Sequence, residues 1–185
     1  RMDYTSEDYN PEPLGSAGCV NNHTFNRFYG YRITREKAQK AVDNGASPEV
    51  ILDFIKKLVG DENSYKFILS WMAYILQAPA EVPGVMLVLQ GEKGAGKSTL
   101  FILLQLLLGT INCTTIPNME ELVGTFNGKR KDKKVVCLEE IGSSVYDPKH
   151  YGMIKDMITN PVQSFNRKYQ SQEETYNPTG FIQIT

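Results

Sequence analysis

The sequence has few of the residues that build metal sites or disulfide frameworks: three cysteines and two histidines in 185 residues. Cys19, Cys113 and Cys137 lie far apart and form no C-x-x-C pair, so reduced thiols in an intracellular protein are expected. His23 follows Cys19 closely, but the sequence offers no second pair of ligands nearby, which disfavours a zinc site.

The sequence also lacks a strong net charge and a long hydrophobic run. Twenty basic residues stand against 21 acidic ones, so overall charge does not draw the chain to nucleic acid, and such binding would need a local patch. The apolar stretch at residues 100–108 is too short to span a bilayer, and no secretory signal is visible. We therefore expect an intracellular protein without a membrane partner.

One segment that is present predicts nucleotide binding. Residues 91–99 match G-x-x-x-x-G-K-[ST], the phosphate-binding loop, between an apolar run typical of a buried strand and a second run typical of a helix. This arrangement aims backbone N–H groups and a helix N-terminus at an anion. Lys97 is expected to reach the outer phosphates of ATP, and the Ser98 hydroxyl to bind Mg²⁺. The predicted nucleotide-binding residues are Gly91, Glu92, Lys93, Gly94, Ala95, Gly96, Lys97, Ser98 and Thr99.

A second segment places two carboxylates at the end of a predicted buried strand. Residues 135–138 are apolar and run directly into Glu139 and Glu140, which is the Walker B arrangement. We assign Glu139 to Mg²⁺ and Glu140 to the attacking water, with Glu140 and Lys97 as the catalytic residues; the order of the two glutamates is open. The same parts would also serve a kinase that transfers phosphate to a small molecule.

The chain divides into three predicted parts. Residues 1–33 are a polar arm that ends in a short strand at 25–33, residues 34–80 are a small, mainly helical domain, and residues 81–185 are an ATPase core. Strands and helices alternate in the core, which predicts an α/β fold with a parallel sheet flanked by helices.

Capping residues and helical spacing predict the helices of the second part. Thr34 and Asp61 are candidate N-caps, Pro48 stands at a helix start, and Gly60 ends the helix before Asp61. Trp71, the sole tryptophan, is expected in the core of this helical layer.

The segment between the two motifs ends in a run of positive charge. Residues 111–116 predict a second strand and residues 119–126 a short helix or turn. Residues 128–134 then hold five positive charges in seven residues. A solvated surface loop and a nucleic-acid contact are both open interpretations of this run.

The last part of the sequence predicts a helix at residues 153–158 and then a β-hairpin. A strand at 162–170 is followed by a polar turn at 171–174, and a further buried strand covers 181–185. Arg167, Lys168 and Tyr169 lie near the turn. Two cations beside an aromatic ring suit phosphate neutralisation and base stacking on single-stranded nucleic acid, whereas an exposed hairpin with incidental charges is the alternative.

Five segments of the sequence carry a family resemblance: residues 25–30 (F-N-R-F-Y-G), 69–79 (L-S-W-M-A-Y-I-L-Q-A-P), 91–99, 138–140 and 154–169. Together they resemble the superfamily-3 helicases of the poxvirus and phage primase-helicase type over about residues 25–185. In that family the motif B′ hairpin contacts DNA through a lysine and an aromatic or histidine residue, which correspond to Lys168 and Tyr169. The chain departs from the family pattern at Glu139, where an aspartate is common.

The resemblance implies an AAA+-like core whose sensor asparagine, arginine finger and remaining C-terminal part come after residue 185, so the 185 residues alone should hydrolyse ATP weakly. It further implies ATP and Mg²⁺ as cofactors, a hexameric ring on single-stranded DNA, and a fused or separate primase. Such proteins serve viral, phage or plasmid replication, in the host cytoplasm or at the nucleoid. The alternatives are an AAA+ ATPase that remodels proteins, and a nucleotide-binding or oligomerisation module without turnover.

Overall fold

The computed structural model describes residues 6–12, 24–124, 127–139, 141, 147–166 and 171–185. The helices are α1 (Arg35–Asp43), α2 (Glu49–Val59), α3 (Glu62–Gln77), α4 (Lys97–Leu108), α5 (Met119–Val123) and α6 (Pro148–Thr159). The strands are β1 (Ser6–Asp8), β2 (Thr24–Asn26), β3 (Met86–Leu89), β4 (Cys113–Ile116), β5 (Val135–Glu139), β6 (Val162–Phe165), β7 (Glu173–Tyr176) and β8 (Gly180–Ile184). No helix in this described part of the chain is both long and apolar enough to cross a membrane.

Four strands form a parallel sheet in the order β3-β8-β5-β4, which confirms the predicted parallel α/β arrangement. Strand β8 lies between β3, which precedes the glycine motif, and β5, which ends at Glu139, the first of the two glutamates. The prediction of a buried strand before the motif is only half right, because among the described strands β3 pairs with β8 alone and lies at the sheet edge. Its residue Val88 is accordingly 43% exposed.

Helices cover both faces of this sheet and divide the core in two. On one face, apolar residues of β3, β5 and β8 pack with α2, α3 and α4, and Trp71 is only 4% exposed there, as predicted. On the other face, Val136, Leu138 and Phe181 pack with residues of α5 and α6. The helical layer formed by α2 and α3 therefore shares its core with the sheet.

A glycine at the start of β8 lets helix α3 lie directly on the sheet. A Cβ atom added to Gly180 would be 2.6 Å from Ile75 Cδ1 and 3.0 Å from Trp71 Cζ2. A Cβ atom here would force the Ile75 and Trp71 side chains to shift, so glycine favours the close approach of α3 to this strand. The contact fixes the helical layer against the middle of the sheet.

The helix boundaries in this layer follow the predicted caps. The Thr34 side chain accepts a hydrogen bond from Lys37 N, and Asp61 Oδ1 accepts from the two backbone N–H groups of Asn63 and Ser64. Gly60 ends α2 in the left-handed region at φ 76°. These caps satisfy N–H groups that a helix leaves without partners, which is why they mark its ends.

Three predicted strand boundaries are wrong. The strand predicted at 25–33 ends at Asn26, whose side-chain oxygen accepts a hydrogen bond from Phe28 N and turns the chain. The strand predicted at 111–116 begins only at Cys113, because a 3₁₀ turn precedes it. The turn predicted at 171–174 is partly strand, since β7 begins at Glu173 and pairs with β6.

The interpretation of residues 128–134 as a solvated loop is wrong for three of the five cations. Arg130, Lys131 and Lys134 are 5%, 7% and 0% exposed. Lys131 pairs with Glu173. Lys134 Nζ donates to the backbone oxygens of Glu81 at 2.7 Å and of Pro178 at 2.9 Å. Because these partners are distant in sequence, no local pattern could reveal that the three side chains are buried.

The buried lysine should make folding stability depend on pH. Burial lowers the pKa of Lys134 from 10.5 to about 7. Between these two values the unfolded chain holds a proton that the folded chain does not, so this group's contribution to the free energy of unfolding rises with pH. Lys134→Met keeps the length of the side chain without its charge and should abolish the rise.

Urea unfolding of both proteins across that pH window measures the effect. The free energy of unfolding of the wild type minus that of Lys134→Met should increase with pH, and the subtraction cancels the titration of other groups. A difference that stays constant across the window would contradict this prediction.

Candidate functional site

The glycine motif forms the connection between β3 and α4. Gly94 and Gly96 have φ angles of 87° and 93°, in the region that favours glycine. Gly96 is the N-cap of α4 and provides no side-chain cap, so the first turn of the helix, Lys97 onward, faces the loop with its backbone N–H groups. A helix N-terminus of this kind attracts anions.

Helix α2 packs against this loop from the helical layer. A Cβ atom added to Gly96 would lie 3.0 Å from Phe54 Cε2 and 4.0 Å from Leu58 Cδ1. The backbone conformation therefore favours glycine at position 96, and a side chain there would also press against Phe54. Phe54 lies on the apolar face of α2, but helical spacing alone does not reveal which surface that face contacts.

The side chain of Lys97 closes the loop on itself. Its Nζ donates to the backbone oxygens of Gly91 and Glu92, each at 2.7 Å. The ammonium group therefore lies over the mouth of the loop. Phosphate oxygens could take the place of these two carbonyl acceptors without a large movement of the side chain.

A cavity of about 720 Å³ brings both sequence motifs together. Glu139, the last residue of β5, lines this cavity. It shares a sheet face with Val135 and Cys137, because alternate residues of a strand lie on the same face, and that face packs with α4. The lining residues are Gly91, Lys93, Gly94, Gly96, Lys97, Ser98, Thr99, Glu139, Ile184 and Thr185. Of the predicted nucleotide-binding residues, Glu92 and Ala95 are not among them.

The backbone at the end of β8 is hydrogen-bonded to the residues that lead into the glycine loop. Gly91 N donates to Thr185 O at 3.3 Å, and Thr185 N donates to Leu89 O at 3.1 Å. Sequence reasoning did not assign Thr185 to the site, since a threonine at the end of an apolar run has no distinguishing pattern. Glu140, the predicted base, lies outside the described residues.

The predicted hairpin is present as the antiparallel pair β6–β7. Its register joins Val162 to Tyr176 and Phe165 to Glu173. The predicted DNA-binding residues Arg167, Lys168 and Tyr169 fall in the connection between the two strands and lie outside the described residues. The two strands that flank them are therefore what the structure establishes about this site.

The fold and the cavity define an α/β protein with a glycine-rich loop between a parallel strand and a helix. Residues 89–185, more than half of the chain, match the family of unknown function DUF5906. The chain belongs to that family. No curated protein has a significant match to the sequence.

Solved structures similar to this chain include apo forms of the C-terminal region of NrS-1. One has a TM-score of 0.66 and 25% identity, and the match covers 75% of this chain and 34% of that one. Another has a TM-score of 0.70 over 96% of this chain and 41% of that one, and at 22% identity it shows the fold alone. A third has a TM-score of 0.62 and 26% identity over 76% of this chain and 32% of the other. The chain thus spans from 32% to 41% of the length of these relatives.

Proposed function

We propose that this chain is the ATP-binding part of a superfamily-3 DNA helicase that serves phage, viral or plasmid replication. The observation that carries the proposal is the convergence of Lys97, Ser98, Thr99 and Glu139 on one cavity. The cavity volume of about 720 Å³ lies within the range of small-molecule sites. The similarity to the NrS-1 C-terminal region supports the coarser part of the proposal, a role in phage replication.

The residues of the cavity fit ATP with Mg²⁺. Lys97 exchanges its two carbonyl acceptors for outer phosphate oxygens, and the N-terminus of α4 adds backbone donors. The Ser98 hydroxyl and the Glu139 carboxylate are hard oxygen ligands of the kind that Mg²⁺ prefers. Glu140 orients the attacking water and accepts its proton. A Mg²⁺ ion held by Ser98 and Glu139 would supply positive charge beside the transferred phosphate.

Single-stranded DNA is the proposed polymer substrate, and the β6–β7 hairpin is its proposed contact. Lys168 follows the phosphate backbone while Tyr169 stacks on a base, which needs no sequence readout. Arg167 adds a second phosphate contact. The active form is proposed to be a hexameric ring that works with a fused or separate primase inside the host cell.

Stimulation of ATP hydrolysis by single-stranded DNA tests this function in the full-length protein. A severalfold increase in turnover on addition of oligo-dT is expected. Stimulation by unfolded protein but not by DNA would favour a protein-remodelling ATPase. ATP binding without turnover under any condition would favour a nucleotide-binding or oligomerisation module.

The hairpin is tested by changing Lys168 and Tyr169 together to alanine. Loss of one stacking contact is worth about 1–3 kcal/mol per base, so single-strand affinity should fall by about 5- to 150-fold while basal ATPase activity persists. Fluorescence anisotropy of labelled oligo-dT measures the affinity. The matched control is Lys149→Ala with Lys155→Ala, two exposed lysines of α6. If the control lost DNA binding and the hairpin variant kept it, the hairpin would not be the contact.

A further inference from the structure

Arg130 is a buried cation without a counterion among the described residues. It is 5% exposed, and no described carboxylate lies within ion-pair distance of its guanidinium group. Gln163 Oε1 accepts one of its N–H donors, from Nη1 at 2.8 Å, while the buried Nε has no hydrogen-bond partner in the described part of the chain. Burial lowers the pKa of Arg130 to about 10, so the group stays charged at neutral pH.

Such a charge is costly unless an anion compensates it. A guanidinium group has five N–H donors, and buried cations in proteins are normally paired or hydrogen-bonded throughout. The ring of Phe165, 4.9 Å from the guanidinium carbon, offers a partial compensation through its π face. The remaining donors have no described acceptor, which points to a ligand.

Arg130 borders a cavity of about 420 Å³ that is large enough for a phosphate group. Its lining combines polar residues, among them Asn127, Ser164 and Asn166, with the apolar residues Val123 of α5 and Met153 and Met157 of α6. Asn127 holds the wall in place: its Oδ1 accepts from Asn166 N at 2.9 Å, and its Nδ2 donates to Ser164 O at 3.2 Å.

Asp156 also borders this cavity, but its carboxylate is engaged elsewhere. Asp156 Oδ1 accepts from Asn160 Nδ2 at 3.3 Å, toward the end of its own helix. The negative charge of Asp156 stabilises the Arg130 cation from a distance, and this interaction raises the pKa of Arg130. A phosphate beside Arg130 would therefore feel one cation at close range and one anion farther away.

We infer that the Arg130 cavity is a phosphate-binding site that takes a backbone phosphate of single-stranded nucleic acid at the base of the β6–β7 hairpin. The inference rests on the proposed function for its polymer. Strand β6 forms one wall of the cavity, and its chain continues through Asn166 directly into Arg167, Lys168 and Tyr169. Because Asn166 is bonded to Arg167, a single-stranded nucleic acid bound by those residues would bring a neighbouring phosphate close to this wall. Free phosphate or a nucleoside phosphate shares this chemistry and is distinguished by the test.

Arg130→Met tests the site, with Lys129→Met as the matched control. Methionine fills a similar volume without charge, and replacement of a buried charge by an apolar side chain is often neutral for stability. Lys129 is the adjacent cation, half exposed and paired with Glu121. Binding of labelled oligo-dT is measured against salt concentration, and melting temperatures confirm that both variants are folded.

The expected result is a loss of affinity on the order of tenfold in Arg130→Met, since hydrogen bonds to charged groups are strong. The slope of log affinity against log salt should also become shallower by about 0.7, the value for one phosphate contact on a single strand. Lys129→Met should bind like the wild type. An oligonucleotide with neutral methylphosphonate linkages should bind the wild type and Arg130→Met equally.

Unchanged affinity and salt slope in Arg130→Met would overturn the inference and leave the proposed function intact. If the wild type binds ATP but no DNA, the polymer part of the proposed function fails. Inorganic phosphate then tests the site without DNA. Phosphate should raise the melting temperature of the wild type but not that of Arg130→Met, and an equal rise in both proteins would overturn the inference.

Asp156→Asn provides a second variant should Arg130→Met fail to fold. Removal of the negative charge from the cavity should tighten oligo-dT binding severalfold if a phosphate lies beside Arg130. Unchanged or weaker binding, together with a lower melting temperature, would identify Asp156 as the counterion of Arg130 and overturn the inference.

Discussion

Lys97→Ala should weaken ATP binding about ten- to hundredfold and abolish hydrolysis, because it removes a charge-assisted contact to the outer phosphates. In the structure the Lys97 ammonium lies over the loop, held by the carbonyl oxygens of Gly91 and Glu92. No other side chain is held over the mouth of the loop in this way among the described residues. Titration with a fluorescent ATP analogue measures the affinity, and phosphate release measures turnover.

Lys93→Ala is the matched control, since it removes the same charge from the same loop. Lys93 also lines the cavity, but it precedes the helix and is not bonded across the loop. Its removal should change affinity far less than removal of Lys97. Equal losses would mean that the loop attracts ATP through its net charge alone, and unchanged affinity and turnover in Lys97→Ala would refute the phosphate-loop assignment.

The features that sequence reasoning predicted correctly are local ones. A cap acts within one turn, so Thr34 and Asp61 predict helix starts without knowledge of the rest of the fold. The strand–loop–helix around Lys97 is likewise contiguous in the chain, and its parts stand in the predicted order. Nearly continuous apolar runs identified β5 and β8, since a strand buried on both faces has no polar alternation.

Apart from the strand boundaries, the errors concern contacts between distant parts of the chain. Arg130 and Lys134 lie in a run of charge that would be solvated in isolation, yet Gln163 and Pro178 accept their hydrogen bonds. The same holds for the candidate site. Phe54 reaches Gly96, and Thr185 reaches Gly91, only because α2 and β8 pack on either side of the loop. No spacing rule within a single segment contains that information.

Sequence and structure both bear on the role of Glu139, whereas Glu140 lies outside the described residues. Glu139 ends β5 and lines the cavity that contains Ser98. Its position on the face that packs with α4 favours the assignment of Glu139 to Mg²⁺, because Ser98 belongs to the first turn of that helix. The assignment of Glu140 to the attacking water stays a prediction from the sequence motif.

Glu140→Gln should leave ATP affinity nearly unchanged and slow hydrolysis by about 10²–10⁴-fold, because it removes a general base without changing the shape of the side chain. Glu139→Gln makes the same chemical change one residue earlier and serves as the matched comparison. It should weaken binding of ATP in the presence of Mg²⁺ but not in its absence, since a neutral amide is a poorer ligand for a hard cation. Affinity with Mg²⁺ or with a chelator, measured beside single-turnover hydrolysis, separates the two roles. If Glu139→Gln trapped bound ATP and Glu140→Gln lost the Mg²⁺-dependent affinity, the two roles would be reversed.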